Sequence, residues 1–76
     1  MSRLDSLYIG EILRRARENN DYTQEEVAQK LGIGRDAIIR IEKGTRKISV
    51  EELHRLVKLY DLNIEDILFG EEEVST

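Results

Sequence analysis

Five basic side chains are concentrated between residues 35 and 47, where they could bind anionic groups. Two carboxylates, Asp36 and Glu42, oppose them, so the segment has a formal charge of +3, and its basic residues are Arg35, Arg40, Lys43, Arg46 and Lys47. Guanidinium and ammonium groups donate charge-assisted hydrogen bonds to phosphate oxygens, and one arginine can hydrogen-bond two atoms of a guanine edge. The segment is therefore a candidate binding site for a polyanion.

Catalytic chemistry has little support in this sequence. The chain of 76 residues has no cysteine and one histidine, His54, so a second imidazole or a thiolate for a metal site is missing. No glycine-rich phosphate loop occurs, and the carboxylate pairs Glu25–Glu26 and Glu51–Glu52 are neighbours that diverge on a helix. We predict that the protein is not an enzyme and uses no cofactor, metal or small-molecule ligand.

The charge is distributed unevenly along the chain. The formal net charge is −4, but residues 1–50 sum to +2 and residues 51–76 to −6. Binding depends on the local patch more than on the total, so the net charge does not exclude a nucleic acid. Because cysteine is absent and no apolar run approaches the ~20 residues that span a bilayer, we predict a cytoplasmic protein without membrane contact.

The spacing of apolar residues from 23 to 44 predicts two short helices that cross at a tight turn. Val27 and Leu31 face inward on the first helix, Gln24–Leu31, and Ile38 and Ile41 face inward on the second, Arg35–Lys43. Gly32 supplies the left-handed backbone that ends the first helix. This is the helix-turn-helix arrangement, whose second helix can enter the major groove of DNA.

The remaining segments predict an all-α single domain of five helices. The other helices are expected at residues 7–19, from the Ser49 cap to near Tyr60, and at residues 64–69 after an Asn63 cap. Residues 1–6 are predicted to form a flexible arm, residues 7–70 the helical core and residues 71–76 an acidic tail.

Residues 9–69 resemble the DNA-binding domain of the lambda-repressor and Cro type, the XRE-like regulators of bacteria and their phages. The resemblance rests on the segments TQEEVAQKLGI, IIRIEKGTRKIS and LNIEDIL. It implies a compact five-helix domain that binds double-stranded DNA as a transcriptional regulator, with repression the favoured mode. The alternative is a protein-interaction module, or an antitoxin or restriction–modification controller of the same fold, that acts mainly through a regulatory protein partner.

The geometry of a helix in the major groove predicts four base contacts. Because Ile38 and Ile41 point inward, the residues that face the groove are Arg35, Asp36, Ile39 and Arg40. Asp36 could accept a hydrogen bond from cytosine, but its position four residues before Arg40 favours orientation of that arginine. Ile39 could contact a thymine methyl group or be partly buried.

Contacts to the DNA backbone are predicted at both ends of the helix pair. The candidates are Thr23, Gln24, Lys43, Thr45, Arg46 and Lys47. The resemblance implies that Gln24 contacts phosphate, and it implies an internal ion pair between Arg17 and Glu42. The basic residues of the loop could instead be solvated, and the Arg17–Glu42 pair could be an ordinary surface ion pair.

A homodimer on a palindromic site is predicted, because one small domain makes few contacts with DNA. The apolar residues left over near the C-terminus suggest a dimer interface at Tyr60, Leu68 and Phe69. These side chains could instead complete the core of a monomer.

Overall fold

Side-chain caps mark where three of the four described helices begin. The computed structural model describes residues 5–65 and 67, and the helices in this part of the chain are α1 (Ser6–Asn19), α2 (Gln24–Leu31), α3 (Arg35–Lys43) and α4 (Val50–Leu59). The Thr23 hydroxyl accepts a hydrogen bond from the Glu26 N–H at 3.0 Å, and the Glu26 carboxylate accepts one from the Thr23 N–H at 2.8 Å. Ser49 and Glu52 form the same reciprocal pair before α4. Each pair is a capping box, in which the cap residue and the glutamate three positions later accept hydrogen bonds from each other's backbone N–H groups.

The first helix begins earlier than the sequence pattern suggests. Asp5 is its N-cap, because the carboxylate accepts a hydrogen bond from the Tyr8 N–H at 2.8 Å, and Ser6 is its first residue. The predicted flexible arm is therefore wrong at Asp5 and Ser6, since a satisfied cap orders both residues. Residues 1–4 lie outside the described residues.

A left-handed glycine forms the turn between α2 and α3. Gly32 has φ of 73°, and the Ile33 N–H donates a hydrogen bond to the Ala28 carbonyl at 3.1 Å. This is the predicted end of α2, where a residue with a Cβ atom would be strained. Gly34 then returns to extended backbone as the N-cap of α3. The short turn fixes the position of α3 relative to α2.

The core forms where the inward faces of all four helices meet. Its fully or nearly buried members are Leu13, Ala16, Val27, Ala28, Leu31, Ile38, Ile41, Leu56, Tyr60 and Ile67. The four inward positions that identify the helix-turn-helix are all among them, as predicted. Burial of each large aliphatic side chain contributes about 1.5–3 kcal/mol, so this cluster is the main source of stability.

The structure describes four helices in residues 5–65 and 67, whereas the sequence predicts five. Ile64, Glu65 and Ile67 have helical backbone, and the Asn63 side chain accepts a hydrogen bond from the Glu65 N–H at 2.9 Å. Asp66 and residues 68–76, which include half of the predicted fifth helix and all of the predicted acidic tail, lie outside the described residues. None of the described helices has the length and apolar character required to cross a membrane.

Gly10 allows α1 to cross the C-terminal end of α3 in close contact. It is buried, and a Cβ atom at this position would lie 2.7 Å from the Glu42 carbonyl oxygen and still closer to that of Ile41. Both neighbouring atoms belong to backbone, so neither can move aside by a change of rotamer. The two helices can therefore reach this separation only with glycine at position 10.

We expect Gly10→Ala to lower the free energy of unfolding by about 1–3 kcal/mol, because the added methyl group would force the α1 and α3 backbones apart. Urea denaturation followed by far-UV circular dichroism measures this change. Gly34→Ala is the control, because Gly34 has φ of −75° and a methyl group there would meet no atom of another part of the chain within 4 Å. Equal stability of the two variants would contradict the proposed backbone contact.

Candidate nucleic-acid interface

The helix α3 exposes the face that the sequence predicts for base contacts. Ile38 and Ile41 are each 2% exposed. Arg35, Asp36 and Arg40 are exposed, and Ile39 is half-buried. Because α3 follows the turn at Gly32 and packs on α2 through its apolar stripe, its polar face is held outward by the core. The contact of these four residues with bases stays a prediction.

Asp36 and Arg40 form an ion pair along the exposed face of α3. The Asp36 Oδ2 atom lies 2.7 Å from Arg40 Nη2 and 3.0 Å from Arg40 Nε. This is the i,i+4 arrangement that the spacing suggests, and it holds the guanidinium against the helix surface. With both side chains more than half exposed, the pair contributes less than ~1 kcal/mol to stability, so Arg40 can exchange partners at low cost.

Three basic residues near the two ends of α3 are exposed and unpaired within the described part of the chain. They are Arg35 in the first turn, Lys43 in the last turn and Lys47 in the following loop, and none makes a side-chain hydrogen bond or ion pair with any described residue. Thr45, also exposed, donates its hydroxyl to the Arg40 carbonyl at 3.3 Å. Unpaired cations keep their full charge for an external anion.

The N-terminus of α2 is close to the C-terminal turn of α3. The Gln24 Nε2 atom donates a hydrogen bond to Glu42 Oε1 at 3.0 Å, while the hydroxyl of exposed Thr23 is occupied by the capping box. The amide oxygen of Gln24 and the first backbone N–H groups of α2 remain outside these contacts, and the N–H groups are chemically suited to a phosphate. The link to Glu42 fixes the rotamer of this predicted phosphate contact.

A nearly buried ion pair connects α1 with α3 beneath this surface, and its carboxylate is also the partner of Gln24 on α2. Arg17 Nε donates to Glu42 Oε2 at 2.7 Å and Arg17 Nη2 donates to Glu42 Oε1 at 3.2 Å, with side-chain exposures of 12% and 5%. Arg17 Nη1 also donates to the Tyr22 carbonyl at 2.9 Å. The hydrogen bond to Glu42 raises the pKa of Arg17 above its ordinary value. The pair is therefore bidentate and internal, and the alternative of an ordinary surface pair does not fit this burial.

Arg46 differs from the other basic residues of the loop, because its charge is already paired. Its Nη1 and Nη2 atoms donate to the two carboxylate oxygens of Glu52 at 3.1 and 3.2 Å. The hydrogen bonds from Arg46, and then the one from the Ser49 N–H, lower the pKa of Glu52 below its ordinary value. The sequence interpretation did not identify this partner, although Arg46 and Glu52 lie three residues before and after the capping residue Ser49.

The predicted dimer interface needs correction at Tyr60. This residue is 4% exposed and belongs to the core, where its ring centroid lies 6.2 Å from that of Tyr22 and burial raises the pKa of its phenol. A side chain buried in its own domain has almost no surface for a partner, so the assignment of Tyr60 to a dimer interface is wrong. Leu68 and Phe69 lie outside the described residues.

An apolar groove lies along the outer side of α4. It has a volume of about 690 Å³, and its lining includes Val50, Leu53, Val57, Leu62 and Ile64. Val50 is 86% exposed and Ile64 is 43% exposed. None of the predicted DNA contacts lines this groove, so it is a second surface of the domain with a different chemistry.

A comparison with families of known proteins matches residues 13–67 to the family described as helix-turn-helix. The match includes both helices of the pair and continues through α4 to the last described residue. The chain belongs to the helix-turn-helix family. This confirms the XRE-type relationship that the sequence suggests.

Curated relatives of this helix-turn-helix protein are transcriptional regulators rather than enzymes. It is 37% identical over 67 residues to the HTH-type transcriptional regulator ImmR of Bacillus subtilis, covering 88% of this chain and 52% of ImmR. It is 38% identical over 61 residues to the HTH-type regulator MJ0272 of Methanocaldococcus jannaschii, and the match covers 80% of this chain and 92% of MJ0272. It is 33% identical over 60 residues to the cryptic phage CTXphi repressor RstR of Vibrio cholerae, and the match covers 79% of this chain and 54% of RstR. The chain thus spans about half the length of ImmR and RstR.

We expect the Arg17–Glu42 pair to show strong energetic coupling in a double-mutant cycle. Arg17→Met or Glu42→Met alone should lower the free energy of unfolding by about 3 kcal/mol, because each leaves an opposite charge nearly buried and unpaired. The double variant should lose less than the sum of the two single variants.

The matched control for this cycle is the exposed pair on α1, Arg14 and Glu18, whose atoms Nη1 and Oε1 are 3.1 Å apart. Its coupling should be below about 0.5 kcal/mol. Urea denaturation of the wild type and the six variants measures both cycles, and similar coupling in the two pairs would show that the Arg17–Glu42 pair has no special structural role.

Proposed function

We propose that this protein is a sequence-specific, double-stranded DNA-binding transcriptional repressor that inserts α3 into the major groove of a palindromic operator as a homodimer. The observation that best supports this function is the exposed face of α3, where Arg35 and Arg40 lie opposite the buried Ile38 and Ile41. The similarity to RstR, a phage transcriptional repressor, supports repression as the mode of regulation.

The dimensions and charges of α3 fit a major groove. An α-helix with its side chains is ~10–12 Å in diameter, which matches the ~12 Å width of the groove, and the nine residues of α3 make it about 13 Å long. Arg35, unpaired in the first turn among the described residues, can donate two hydrogen bonds to a guanine, and Arg40 can leave Asp36 for a base or phosphate. Ile39 contributes an apolar contact on the same face, as a thymine methyl group would require.

Backbone contacts would orient the helix in the groove. The N-terminus of α2 with Thr23 and Gln24 faces one strand, and Lys43, Thr45 and Lys47 follow α3 toward the adjoining strand. Such contacts add affinity on all sequences and make it dependent on salt. Arg46 belongs to the same loop, but its pairing with Glu52 distinguishes it from these residues.

The second candidate function is a protein-interaction module of the same fold, acting as an antitoxin or as a restriction–modification controller through a protein partner. The apolar groove on α4 is the observation that favours it, since such a groove could accommodate a different protein. The exposed cations around α3 favour DNA binding instead. An affinity for DNA that does not change with salt concentration would support the protein-interaction module.

We expect Arg35→Ala to weaken binding to the selected operator by about 1–3 kcal/mol and to relax the preference at one base pair, because a bidentate contact with guanine is lost. Lys47→Ala should weaken binding to operator and random DNA alike, and should reduce the slope of log K against log salt by roughly 0.9. The operator is first selected from a random DNA pool, and affinities are then measured by fluorescence anisotropy.

The control for both variants is Arg15→Ala, which removes a cation from the exposed side of α1, where Arg15 pairs with Glu11. It should change neither sequence preference nor salt slope appreciably. If Arg35→Ala and Lys47→Ala have the same effect on operator and random DNA, the division between base contacts and phosphate contacts is incorrect.

The groove on α4 is the surface that we assign to the second copy of the chain. The strongly exposed Val50 lies beside a concave apolar lining, so a two-fold arrangement can place each Val50 in the groove of the other copy. The rim also has both Lys58 and Asp61, whose opposite charges can pair across the same two-fold axis. Coverage of this groove leaves α3 free for DNA.

We expect the double variant Val50→Gln/Ile64→Gln to remain folded but to lower self-association at least tenfold, because it makes the two most exposed apolar groups of the groove polar. Sedimentation across micromolar concentrations measures association. Affinity for an inverted repeat with half-site centres ~34 Å apart should fall with it, while affinity for one half-site stays unchanged.

Leu7→Gln is the control for this variant, since Leu7 is 68% exposed but does not line the groove. It should leave self-association intact. A wild-type protein that remains monomeric and binds one half-site as tightly as the full repeat would rule out the homodimer, without affecting the proposed DNA contacts of α3.

A further inference from the structure

Arg46 has a side chain that could bind phosphate, but its hydrogen bonds are those of a structural residue. Its guanidinium approaches the Glu52 carboxylate with two nearly parallel hydrogen bonds of 3.1 and 3.2 Å, the fork-to-fork arrangement that is typical of strong Arg–carboxylate pairs. The side chains are 34% and 18% exposed, so the pair is partly shielded from water. Lys47, the next residue, is exposed and has no such partner within residues 5–65 and 67.

The partner carboxylate is itself part of the cap of α4. Glu52 Oε1 accepts a hydrogen bond from the Ser49 N–H at 3.0 Å in addition to the one from Arg46. Arg46 Nη1 also donates to the Lys47 carbonyl at 3.3 Å. One guanidinium thus joins the peptide group of Lys47 to the rigid first turn of α4, which limits the conformations of the loop between α3 and α4.

A direct contact of Arg46 with DNA would compete with this arrangement. If the guanidinium left Glu52, the uncompensated carboxylate would lie close to the phosphates and be repelled by them. If it stayed and bound a phosphate through Nε and the second hydrogen of Nη2, the paired carboxylate would offset most of its attraction for that phosphate. The charge of Arg46 is neutralised locally, whereas the charge of Lys47 is not. The two neighbouring cations therefore have different chemical roles in the described structure.

We propose that Arg46 is a positioning residue that, through Glu52, holds the loop so that Lys47 faces the DNA backbone, and that Arg46 is not itself a phosphate contact. This inference rests on the proposed DNA-binding function. It replaces the prediction that every basic residue of the loop contacts phosphate, and it makes the N-terminus of α4 part of the DNA-binding apparatus without direct contact.

The deciding experiment compares Glu52→Gln with Glu51→Gln for binding to the selected operator. Both variants remove one negative charge from the first turn of α4, and glutamine at position 52 retains the capping box. Glu51 is a suitable control because it pairs with Arg55, at 3.2 Å on the same helix, rather than with the loop. If Arg46 is a positioning residue, Glu52→Gln should bind roughly two- to fivefold more weakly than Glu51→Gln.

A direct phosphate contact of Arg46 predicts the opposite change in operator affinity. If Arg46 contacts phosphate, Glu52→Gln removes its competitor and should bind more tightly than Glu51→Gln, which would overturn the proposal. Arg46→Lys provides a second test, because lysine retains the charge but not the two-point hydrogen bonding. A positioning role predicts that Arg46→Lys is as weak as Arg46→Ala, whereas a phosphate contact predicts substantial recovery.

A measurement without DNA separates this inference from the proposed function. The backbone order parameter of the Lys47 amide should fall from the rigid range near ~0.85 toward ~0.6 in Arg46→Ala and Glu52→Gln, and should not change in Glu51→Gln. Unchanged order in all variants would overturn the positioning role. A wild-type protein that binds no DNA, with the expected loss of order, would refute the proposed function and leave the loop assignment intact.

Discussion

The arrangement of the helix pair depends on the ion pair between Arg17 and Glu42. It joins the end of α1 to the end of α3, and both residues have a further partner on the segment that begins α2, namely the Tyr22 carbonyl for Arg17 and the Gln24 side chain for Glu42. Apolar packing brings the helices together but is not directional. The charged hydrogen bonds are directional, so they favour the rotation of α3 that brings Glu42 to Arg17. Apolar residues of the same volume could preserve stability without preserving this rotation.

The local features of the fold could be predicted from the sequence because each depends on a few neighbouring residues. Thr23 with Glu26, Ser49 with Glu52, and Gly32 at the turn have defined roles over three or four positions, and the structure confirms them. Inward positions of α2 and α3 follow from helical periodicity for the same reason. The start of α1 differed because Asp5 caps a helix that has no apolar residue in its first position.

The features that escaped prediction depend on contacts between segments that are distant in sequence. The approach of Gly10 to the carbonyls of α3 depends on how two helices cross, which no spacing within α1 indicates. Tyr60 is apolar enough for an interface or a core, and only the tertiary packing decides between them. The free charge of the loop was overestimated for a different reason, since the partner of Arg46 is only six residues away but lies in the first turn of α4, so a count of basic residues alone does not reveal it.

The contact at Gly10 also has a consequence for the energetics of DNA recognition. With its backbone against the backbone of α1, α3 has little freedom to tilt or shift relative to the rest of the domain. In the proposed complex, the double helix would have to supply the adaptation, and the cost of bending or twisting it depends on the stacking of base pairs that the protein does not touch. Selectivity would then arise in part from the stiffness of the operator, at the central base pairs between the two half-sites.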